Sequence, residues 1–187
     1  MTQTPVNLVH IRPATARDAD AITEVHLASM REAYRELLGA DELARIDAQD
    51  RANRWREHLA GGGSTTLLAE ANGRPVGFVD FGACRDDDLS GSVGEVMAVY
   101  VHPEAWGRRF GERLMREALE QLRSSDLDPV VLWIVEGNHR AIAFYERLAF
   151  AWDGAIRHHE MFGRAVTVVR LRRYSGAQTP GRLRGPD

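Results

Sequence analysis

The chain has 187 residues, 44% hydrophobic and 27% charged, with a formal net charge of −3, which fits one globular domain with a full core. The near-neutral charge gives no electrostatic reason to bind nucleic acid non-specifically, and no apolar run reaches the roughly 20 residues that span a bilayer. The amino-terminal MTQTPVNLVH lacks a secretory-signal pattern and the single cysteine, Cys84, fits a reducing compartment, so we expect a cytoplasmic protein without nucleic-acid or membrane partners.

The first half of the chain predicts a strand, two helices and a hairpin. LVHIRPA is a short apolar alternation typical of a strand, and Thr15 and Asp18 have the spacing of a helix start. DELARIDAQDRANRWREHLA has helical propensity, and three glycines end it. Asn72-Gly73 lies between two β-prone runs and favours a tight hairpin turn.

The second half predicts alternating strands and helices. VGEVMAVYV is rich in β-branched residues and precedes PEAWGRRFGERLM, which has the pattern of an amphipathic helix start. The apolar run DPVVLWIVE suits a buried strand, and NHRAIAFYERLAF predicts a short helix before two closing strands. The order indicates one mixed α/β domain over residues 1–174, and we expect residues 175–187 to be a disordered tail.

Two glycines, Gly107 and Gly111, lie at the start of the helix predicted in PEAWGRRFGERLM, where each weakens a helix by roughly 1 kcal/mol relative to alanine. A strand, a glycine-bearing turn and a helix start point free backbone N–H groups at an anion. Arg108 and Arg109 would add positive charge at the rim of such a phosphate site. A purely structural interpretation stays open, in which Gly107 serves a turn and Gly111 allows close helix–sheet packing.

Other phosphate and metal motifs do not match the chain. No Lys-Ser or Lys-Thr follows the glycines, as a nucleoside-triphosphate loop requires, and the dinucleotide fingerprint G-x-G-x-x-G is missing. His158 and His159 are neighbours in a predicted strand and point to opposite faces, so we expect no metal site.

Four stretches, in order along the chain, resemble the Gcn5-related N-acetyltransferase (GNAT) family. EVMAVYVHPEAWGRRFGERLM is similar to the acyl-coenzyme A motif, a β-branched strand and a proline followed by [Q/R]-x-x-G-x-[G/A]. NHRAIAFYERLAF is similar to the second signature, N-x-x-A-x-x-F-Y-E-x-x-G-F. RPVGFVDFG and IRPATARDADAI match the usual hairpin strand and opening of the family.

The resemblance implies an α/β fold with a mixed, mostly antiparallel sheet of about seven strands, splayed between the fourth and fifth and flanked by about four helices. It implies transfer of an acetyl group from acetyl-coenzyme A, the co-substrate, to a primary amine by direct attack in a ternary complex. Strand backbone would pair with the pantetheine arm as an added strand does. The residues that it assigns to the coenzyme are Val99, Tyr100, Val101, Gly107, Arg108, Arg109, Phe110, Gly111, Glu112, Asn138, Ala141 and Tyr145.

The chain departs from the family pattern at three positions. Trp106 stands at the first position of the acyl-coenzyme A motif, Arg109 at its middle glycine, and Ala149 at the glycine of the second signature. Because a backbone N–H donates whatever the side chain is, we predict a helical φ at Arg109, with the side chain outward or near the phosphates. A positive φ there would cost roughly 1–2 kcal/mol.

The resemblance assigns catalysis to Tyr145 and Glu95. Tyr145 occupies the position of the family tyrosine that faces the coenzyme sulfur, where it would protonate the leaving thiolate. Glu95 would act as a base through water, because an alkyl amine with a pKa near 10.4 is mostly ammonium at pH 7. For each residue a non-catalytic interpretation stays open. Tyr145 would then be only a core residue, and Glu95 a solvated carboxylate at the end of a strand. The other candidates for the base are His26, Tyr34 and His158.

The sequence does not indicate the acceptor. The loop CRDDDLSGS would attract a cationic amine or be a solvated turn, and Asn138 would cap the last helix, contact the pantetheine, or do both. The alternative function is a non-catalytic acyl-coenzyme A binding module of the same fold. We expect acetyl-coenzyme A and an unidentified amine as partners, and a monomer or a homodimer.

Overall fold

The computed structural model describes residues 9–35, 39, 43–89, 91–161 and 163–175. The predicted disordered tail lies outside these ranges except for Ser175, and that prediction stands untested. Within the described ranges, no helix is long and apolar enough to cross a bilayer.

Seven strands form one mixed sheet in the order β1-β2-β3-β4-β5-β7-β6. The strands are β1 Val9–Pro13, β2 Thr65–Ala71, β3 Arg74–Ala83, β4 Gly94–Val101, β5 Val130–Val135, β6 Ala151–Met161 and β7 Arg164–Arg173. The α-helices that lie wholly within the described ranges are α1 Ala19–Ala33, α2 Ala48–Gly61, α3 Phe110–Ser124 and α4 His139–Arg147. Only β4 and β5 are paired in parallel, and all other neighbours are antiparallel, which confirms the predicted mixed, mostly antiparallel architecture.

Local signals explain where the first two helices begin and end. Thr15 and Asp18 form the predicted capping box, which starts a 3-10 turn that leads into α1. Helix α2 begins later than the sequence predicted, because the Asp47 side chain accepts hydrogen bonds from the N–H groups of Gln49 and Asp50 and so caps the helix there. It ends at Gly62, whose φ is +66°.

The helices cover both faces of the sheet. Helix α3 packs on β2, β3 and β4, while α1 lies on the opposite face of β3 and β4 and is covered by α2. The α3 face has a core that includes Leu114, Val96 and Leu132, and the α1 face a smaller core that includes Ile22, Trp55 and Phe78. Strands β3 and β4 are therefore covered on both faces, and β5 is buried along most of its length, as its apolar run predicted.

The sheet is splayed between β4 and β5, as the resemblance implied. Only Gly94 with Val130 and Glu95 with Val131 are paired across this boundary. The register of β3 on β4 also shifts, because Asp80 lies opposite Ala98 while Phe81 lies opposite Val96, so Met97 is the extra residue of a bulge. Beyond these points the two strands separate and leave a gap through the sheet.

Candidate active site

A cavity of about 690 Å³ occupies the gap between β4 and β5. On the α3 face its walls come from the loop before α3, the first turn of α3, and α4. On the α1 face the walls come from the end of α1 and from the side of β5 that faces α1. Residues assigned to the coenzyme from the sequence that line it are Val99, Tyr100, Val101, Gly107, Arg109, Phe110, Gly111, Glu112, Asn138, Ala141 and Tyr145. Arg108 is exposed and is not among the lining residues.

The glycine turn, residues 103–111, differs from the prediction in its backbone. A 3-10 turn at Pro103–Ala105 is followed by Gly107 with φ +77° and Arg109 with φ +62°, and α3 begins only at Phe110. The predicted helical φ at Arg109 is therefore wrong. The chain must reverse direction within a few residues between β4 and α3, and two left-handed residues make that turn. For Arg109 this conformation costs roughly 1–2 kcal/mol.

The geometry of the turn suits an anion. A Cβ atom added at Gly107 would have no heavy atom within 4 Å, so this glycine borders open space. The first N–H groups of α3 have no partner within the helix, and Arg109 is exposed and lines the cavity beside them. A phosphate group can approach this backbone closely and meet positive charge there.

Gly111 has a packing role as well. A Cβ atom at this position would lie 3.4 Å from Cζ of Phe144 and 3.5 Å from Cγ2 of Val101. The small residue thus lets the start of α3 approach β4 and α4 closely. The two interpretations of the glycines are compatible, because Gly107 makes the turn, Gly111 the close approach, and both shape the N–H-lined end of the cavity.

Trp106 and Arg140 fix the mouth of the cavity. The Trp106 indole Nε1 donates a hydrogen bond of 2.6 Å to the carbonyl oxygen of Val101, which ties the glycine turn to the end of β4. The guanidinium carbon of Arg140 lies 3.3 Å from the centre of the indole ring, and partial burial lowers its pKa. Sequence reasoning assigned Arg140 no role, although an arginine near the start of α4 adds a second cation to this rim.

Asn138 caps α4, which confirms one of its two expected roles. Its Oδ1 accepts a hydrogen bond of 3.2 Å from the N–H of Ala141. The side chain also hydrogen-bonds that of Tyr34, the residue that directly follows α1. Asn138 thereby links α4 to the α1 side of the cavity.

Tyr145 both packs in the core and faces the cavity. Its ring centre lies 5.1 Å from that of Phe144 and 5.9 Å from that of Phe150, and the residue lines the cavity wall. Burial raises the pKa of its phenol well above the usual value of 10, so the group is a neutral O–H donor at physiological pH. The core role and a role facing the coenzyme therefore do not exclude each other.

Glu95 is buried and is not among the residues that line the cavity. It is 5% exposed, which rules out the solvated strand-end alternative. Nε and Nη2 of Arg85 donate hydrogen bonds of 3.1 and 3.0 Å to its two carboxylate oxygens, and the Arg85 backbone N–H donates another of 3.2 Å. The cavity lining begins one residue later, at Val96. The structure therefore does not bring Glu95 together with Tyr145.

Among the other candidates for the base, Tyr34 alone lines the cavity. His26 is buried against Trp55, whose Nε1 donates to its Nδ1 at 3.2 Å, and burial lowers its pKa to about 3. His158 is exposed on β6. Burial raises the pKa of Tyr34, and hydrogen bonds with Asn138 and Tyr100 oppose that rise.

The acidic loop after β3 is held by ion pairs rather than free in solvent. Arg170 of β7 binds Asp86 and Asp88, with both N–O distances 2.8 Å, and it binds Asp153 of β6 at 2.8 Å. The side chains of Arg170 and Asp86 are 5% and 4% exposed. Arg170 lies two residues after Val168 and shares its buried face of the strand. A buried cation needs acidic partners, so this spacing is the sequence signal that could have predicted them.

A family model described as the acetyltransferase (GNAT) family matches residues 27–150. The chain belongs to the GNAT family. A relative from Archaeoglobus fulgidus, named as an uncharacterized N-acetyltransferase, is 31% identical over 141 residues, which are 73% of this chain and 89% of that protein. As a GNAT enzyme, the protein transfers an acetyl group from acetyl-coenzyme A to an acceptor.

Solved structures of GNAT proteins have the same fold. The Salmonella typhimurium acetyltransferase yncA, solved with acetyl-CoA, is 25% identical with a TM-score of 0.67 and covers 93% of this chain and 99% of that one. PaiA N-acetyltransferase of Thermoplasma acidophilum, solved with coenzyme A, has a TM-score of 0.65 at 15% identity, and the match covers 87% of this chain and 98% of that one. These two structures hold the coenzyme; in this GNAT chain, the unpartnered N–H groups and cations at the glycine turn fit a pyrophosphate.

Proposed function

We propose that the protein acetylates a primary amine by direct attack on acetyl-coenzyme A in a ternary complex within the cavity between β4 and β5. The observation that carries this proposal is the continuity of the cavity. It runs from the glycine turn, past the separated edges of the two strands, to residues of α1 on the other face. A coenzyme bound from one face and an amine entering from the other would meet in the gap.

The coenzyme would bind in two parts. Its pyrophosphate would accept hydrogen bonds from the first N–H groups of α3, with Arg109 and Arg140 adding charge. Its pantetheine arm would pair with the backbone of Val99 and Val101, which the splay from β5 leaves without a strand partner on that side. Arg108 is exposed outside the lining, and we assign it at most an electrostatic contribution.

The bond-making step requires a neutral amine, a donor for the oxyanion and a proton for the leaving thiolate. A backbone N–H near Val99 would stabilise the tetrahedral oxyanion. Tyr145 would donate its phenolic proton to the thiolate, and its raised pKa keeps that proton on the oxygen until the thiolate forms. The amine nitrogen first bonds to the acetyl carbon and gives the tetrahedral oxyanion. The carbon–sulfur bond then breaks as the carbonyl re-forms, and the surplus proton of the nitrogen passes to the base.

The identity of the base stays a prediction. Glu95 would need to act through water from behind its hydrogen bonds to Arg85, whereas Tyr34 lines the cavity directly. We therefore retain Glu95 as the candidate that the resemblance suggests. Tyr34 is better placed, but burial raises its pKa, so its phenol is neutral at pH 7 and takes the proton of the amine only if it passes its own proton on. Glu95→Gln tests the choice, because a rate that still rises with pH as in the wild type would remove Glu95 from the role.

The decisive experiment replaces Tyr145 by phenylalanine. We expect thiol release with a saturating amine to fall by about 10²-fold or more, while calorimetry shows unchanged acetyl-coenzyme A affinity. Tyr174→Phe is the matched control, because Tyr174 is 39% exposed and lies outside the cavity lining. Equal rates for wild type and Tyr145→Phe would remove Tyr145 as the acid.

A non-catalytic coenzyme-binding module is the alternative that the same measurements separate. Such a module would bind acetyl-coenzyme A but release no thiol with any amine. We further propose a cytoplasmic location, with the enzyme a monomer or a homodimer. Fractionation of cells and the molar mass in solution test these two points.

A further inference from the structure

Trp133 of β5 stands between the cavity and a second groove. It lines the cavity, and it also lines a neighbouring groove of about 560 Å³ whose other walls are Arg85, Asp87, Asp88, Ala155, Ile156 and Arg157. Its neighbours Leu132 and Ile134 belong to the core on the α3 face. Because side chains alternate along a strand, the indole lies on the α1 face, at the end of the cavity opposite the glycine turn.

The indole ring is held in one orientation. Its Nε1 donates a hydrogen bond of 2.9 Å to Oδ2 of Asp86, and that carboxylate is in turn bound by Arg170 at 2.8 Å and Arg157 at 2.9 Å. The guanidinium of Arg157 covers the ring face at 4.2 Å from its centre. A buried acid with two cationic partners and a stacked arginine make this tryptophan a fixed wall rather than a movable side chain.

The cavity surface on this side is largely aromatic and carries no charged side chain in the described lining. Trp133 is accompanied there by Tyr34, Met97 and Tyr100, and the hydroxyl of Ser29 is turned to the Val101 carbonyl. Among the described residues that line the cavity, the one carboxylate is Glu112, which belongs to the first turn of α3 beside the glycine turn. A second ammonium group on the acceptor would therefore be desolvated there without a carboxylate to compensate its charge.

We propose that the acceptor is an amine whose carbon skeleton carries an apolar, preferably aromatic, group, and that Trp133 is the wall that selects it. This inference rests on the proposed function, because it assumes that the α1 side of the cavity receives the acceptor. The aromatic group packs against Trp133, Met97 and Tyr100, and the amine points into the gap toward the acetyl group. Asp86 and Arg157 are positioning residues, which act only by holding the indole in place.

The first test compares amines with the wild-type enzyme. Thiol release from acetyl-coenzyme A is followed with phenethylamine and tryptamine on one side and with putrescine and spermidine on the other. We expect kcat/KM to be at least about tenfold higher for the aromatic amines, as burial of a ring against such a surface permits. Equal or higher values for the polyamines would overturn the proposal.

The second test changes the wall itself. Trp133→Ala joins the cavity to the second groove, so we expect KM for tryptamine to rise about tenfold or more. We also expect kcat/KM for bulkier amines, such as a naphthyl-substituted ethylamine, to increase relative to that for tryptamine. Trp133→Phe keeps a ring, loses the hydrogen bond to Asp86, and serves where the alanine variant fails to fold. Trp152→Phe is the matched control, because Trp152 of β6 lies outside the cavity lining and donates only to the Ala155 carbonyl.

Calorimetry with acetyl-coenzyme A distinguishes failure of the proposed function from failure of the proposed acceptor preference. Unchanged coenzyme affinity in both Trp133 variants, with altered KM for the aromatic amines, supports the wall. An acceptor profile of Trp133→Phe and Trp133→Ala identical to that of the wild type removes the wall while leaving acetyl transfer intact. Failure of the wild type to bind acetyl-coenzyme A would remove the proposed function, and this inference with it.

Discussion

Two residues, Arg109 and Ala149, adopt left-handed backbone conformations at positions where the GNAT motifs have glycine. Their φ values are +62° and +64°. Both residues depart from the motifs, but the sequence predicted a helical φ for Arg109 and only a small effect of Ala149. The glycine preference at both positions has a backbone cause, because a Cβ atom crowds the following carbonyl in this conformation. Arg109 compensates by presenting a cation at the coenzyme end of the cavity.

Ala149→Gly is expected to stabilise the protein. Ala149 follows the end of α4 and is exposed, so glycine there removes the steric cost and loses no packing, for a gain of about 1 kcal/mol in the free energy of unfolding. Urea denaturation followed by circular dichroism measures the change. Ala143→Gly, at an exposed interior position of α4, is the control and should lose about 1 kcal/mol. A loss of stability in Ala149→Gly would contradict the backbone explanation.

At the scale of elements, the loop between β3 and β4 is fixed by a strand that is distant in sequence. Arg170 of β7 binds Asp86 and Asp88, and Asp86 in turn orients Trp133 of β5. Three elements that meet on the acceptor side of the cavity thus share one buried ion-pair network. The acidic loop accordingly holds the Trp133 wall of the cavity in place through Asp86. In the ion pairs given above, Asp86 and Asp88 take part and Asp87 does not.

Arg170→Met is expected to destabilise the protein strongly. The substitution keeps the apolar bulk of the side chain but leaves the buried Asp86 with one cationic partner fewer, which costs about 3 kcal/mol or more in the free energy of unfolding. Urea denaturation measures it. Arg123→Met is the control, because the side chains of the Arg123–Glu120 pair are 61% and 59% exposed, and the loss of such a solvated pair should change the free energy of unfolding far less. Similar effects of the two substitutions would show that the network contributes no more than a surface pair.

At the scale of the whole molecule, the splay between β4 and β5 produces the site. The parallel pairing of these strands ends after two residue pairs, and the cavity begins where it ends. In the proposed function the coenzyme and the amine bind from opposite faces of one sheet, so each face can be altered separately. A substitution on one face is therefore expected to change either the affinity for the coenzyme or the preference for the acceptor, and the two can be measured independently.

The stability of the whole molecule should depend on pH through His26. Burial lowers the pKa of His26 to about 3, whereas the unfolded residue has a value near 6.5. Between these values the unfolded chain binds a proton that the folded chain does not, so stability falls as pH drops below about 6.5, by up to about 1.4 kcal/mol per pH unit.

Urea denaturation between pH 5 and pH 7 tests this dependence, in a window above the titration of most carboxylates. His26→Gln keeps a hydrogen-bond acceptor for Trp55 and should flatten the slope. His159→Gln, at an exposed position of β6, is the control and should leave the slope as in the wild type. A slope in His26→Gln equal to that of the wild type would remove His26 as its origin.

The amino-acid sequence by itself determined the order of strands and helices and the family, and it located the glycine turn at which the coenzyme is proposed to bind. These follow from local patterns: β-branched runs, caps such as Thr15, the Asn72-Gly73 turn and a glycine turn before a helix. Tyr145 could be proposed because its motif is local, and the cavity lining is in keeping with its proposed role. Each of these signals lies within a short segment, where backbone preference and side-chain periodicity act directly.

Only the tertiary structure decided which distant residues meet. It brought Arg85 to Glu95, Arg170 to Asp86 and Trp133 to the acceptor side of the cavity, and it gave Arg109 a left-handed φ. Charged pairs separated by many residues leave no periodic trace along the chain, and the φ at Arg109 is set by the reversal between β4 and α3. Long-range pairing and the geometry of the sheet, rather than local propensity, therefore determine the α1 side of the cavity, where we propose that the acceptor binds.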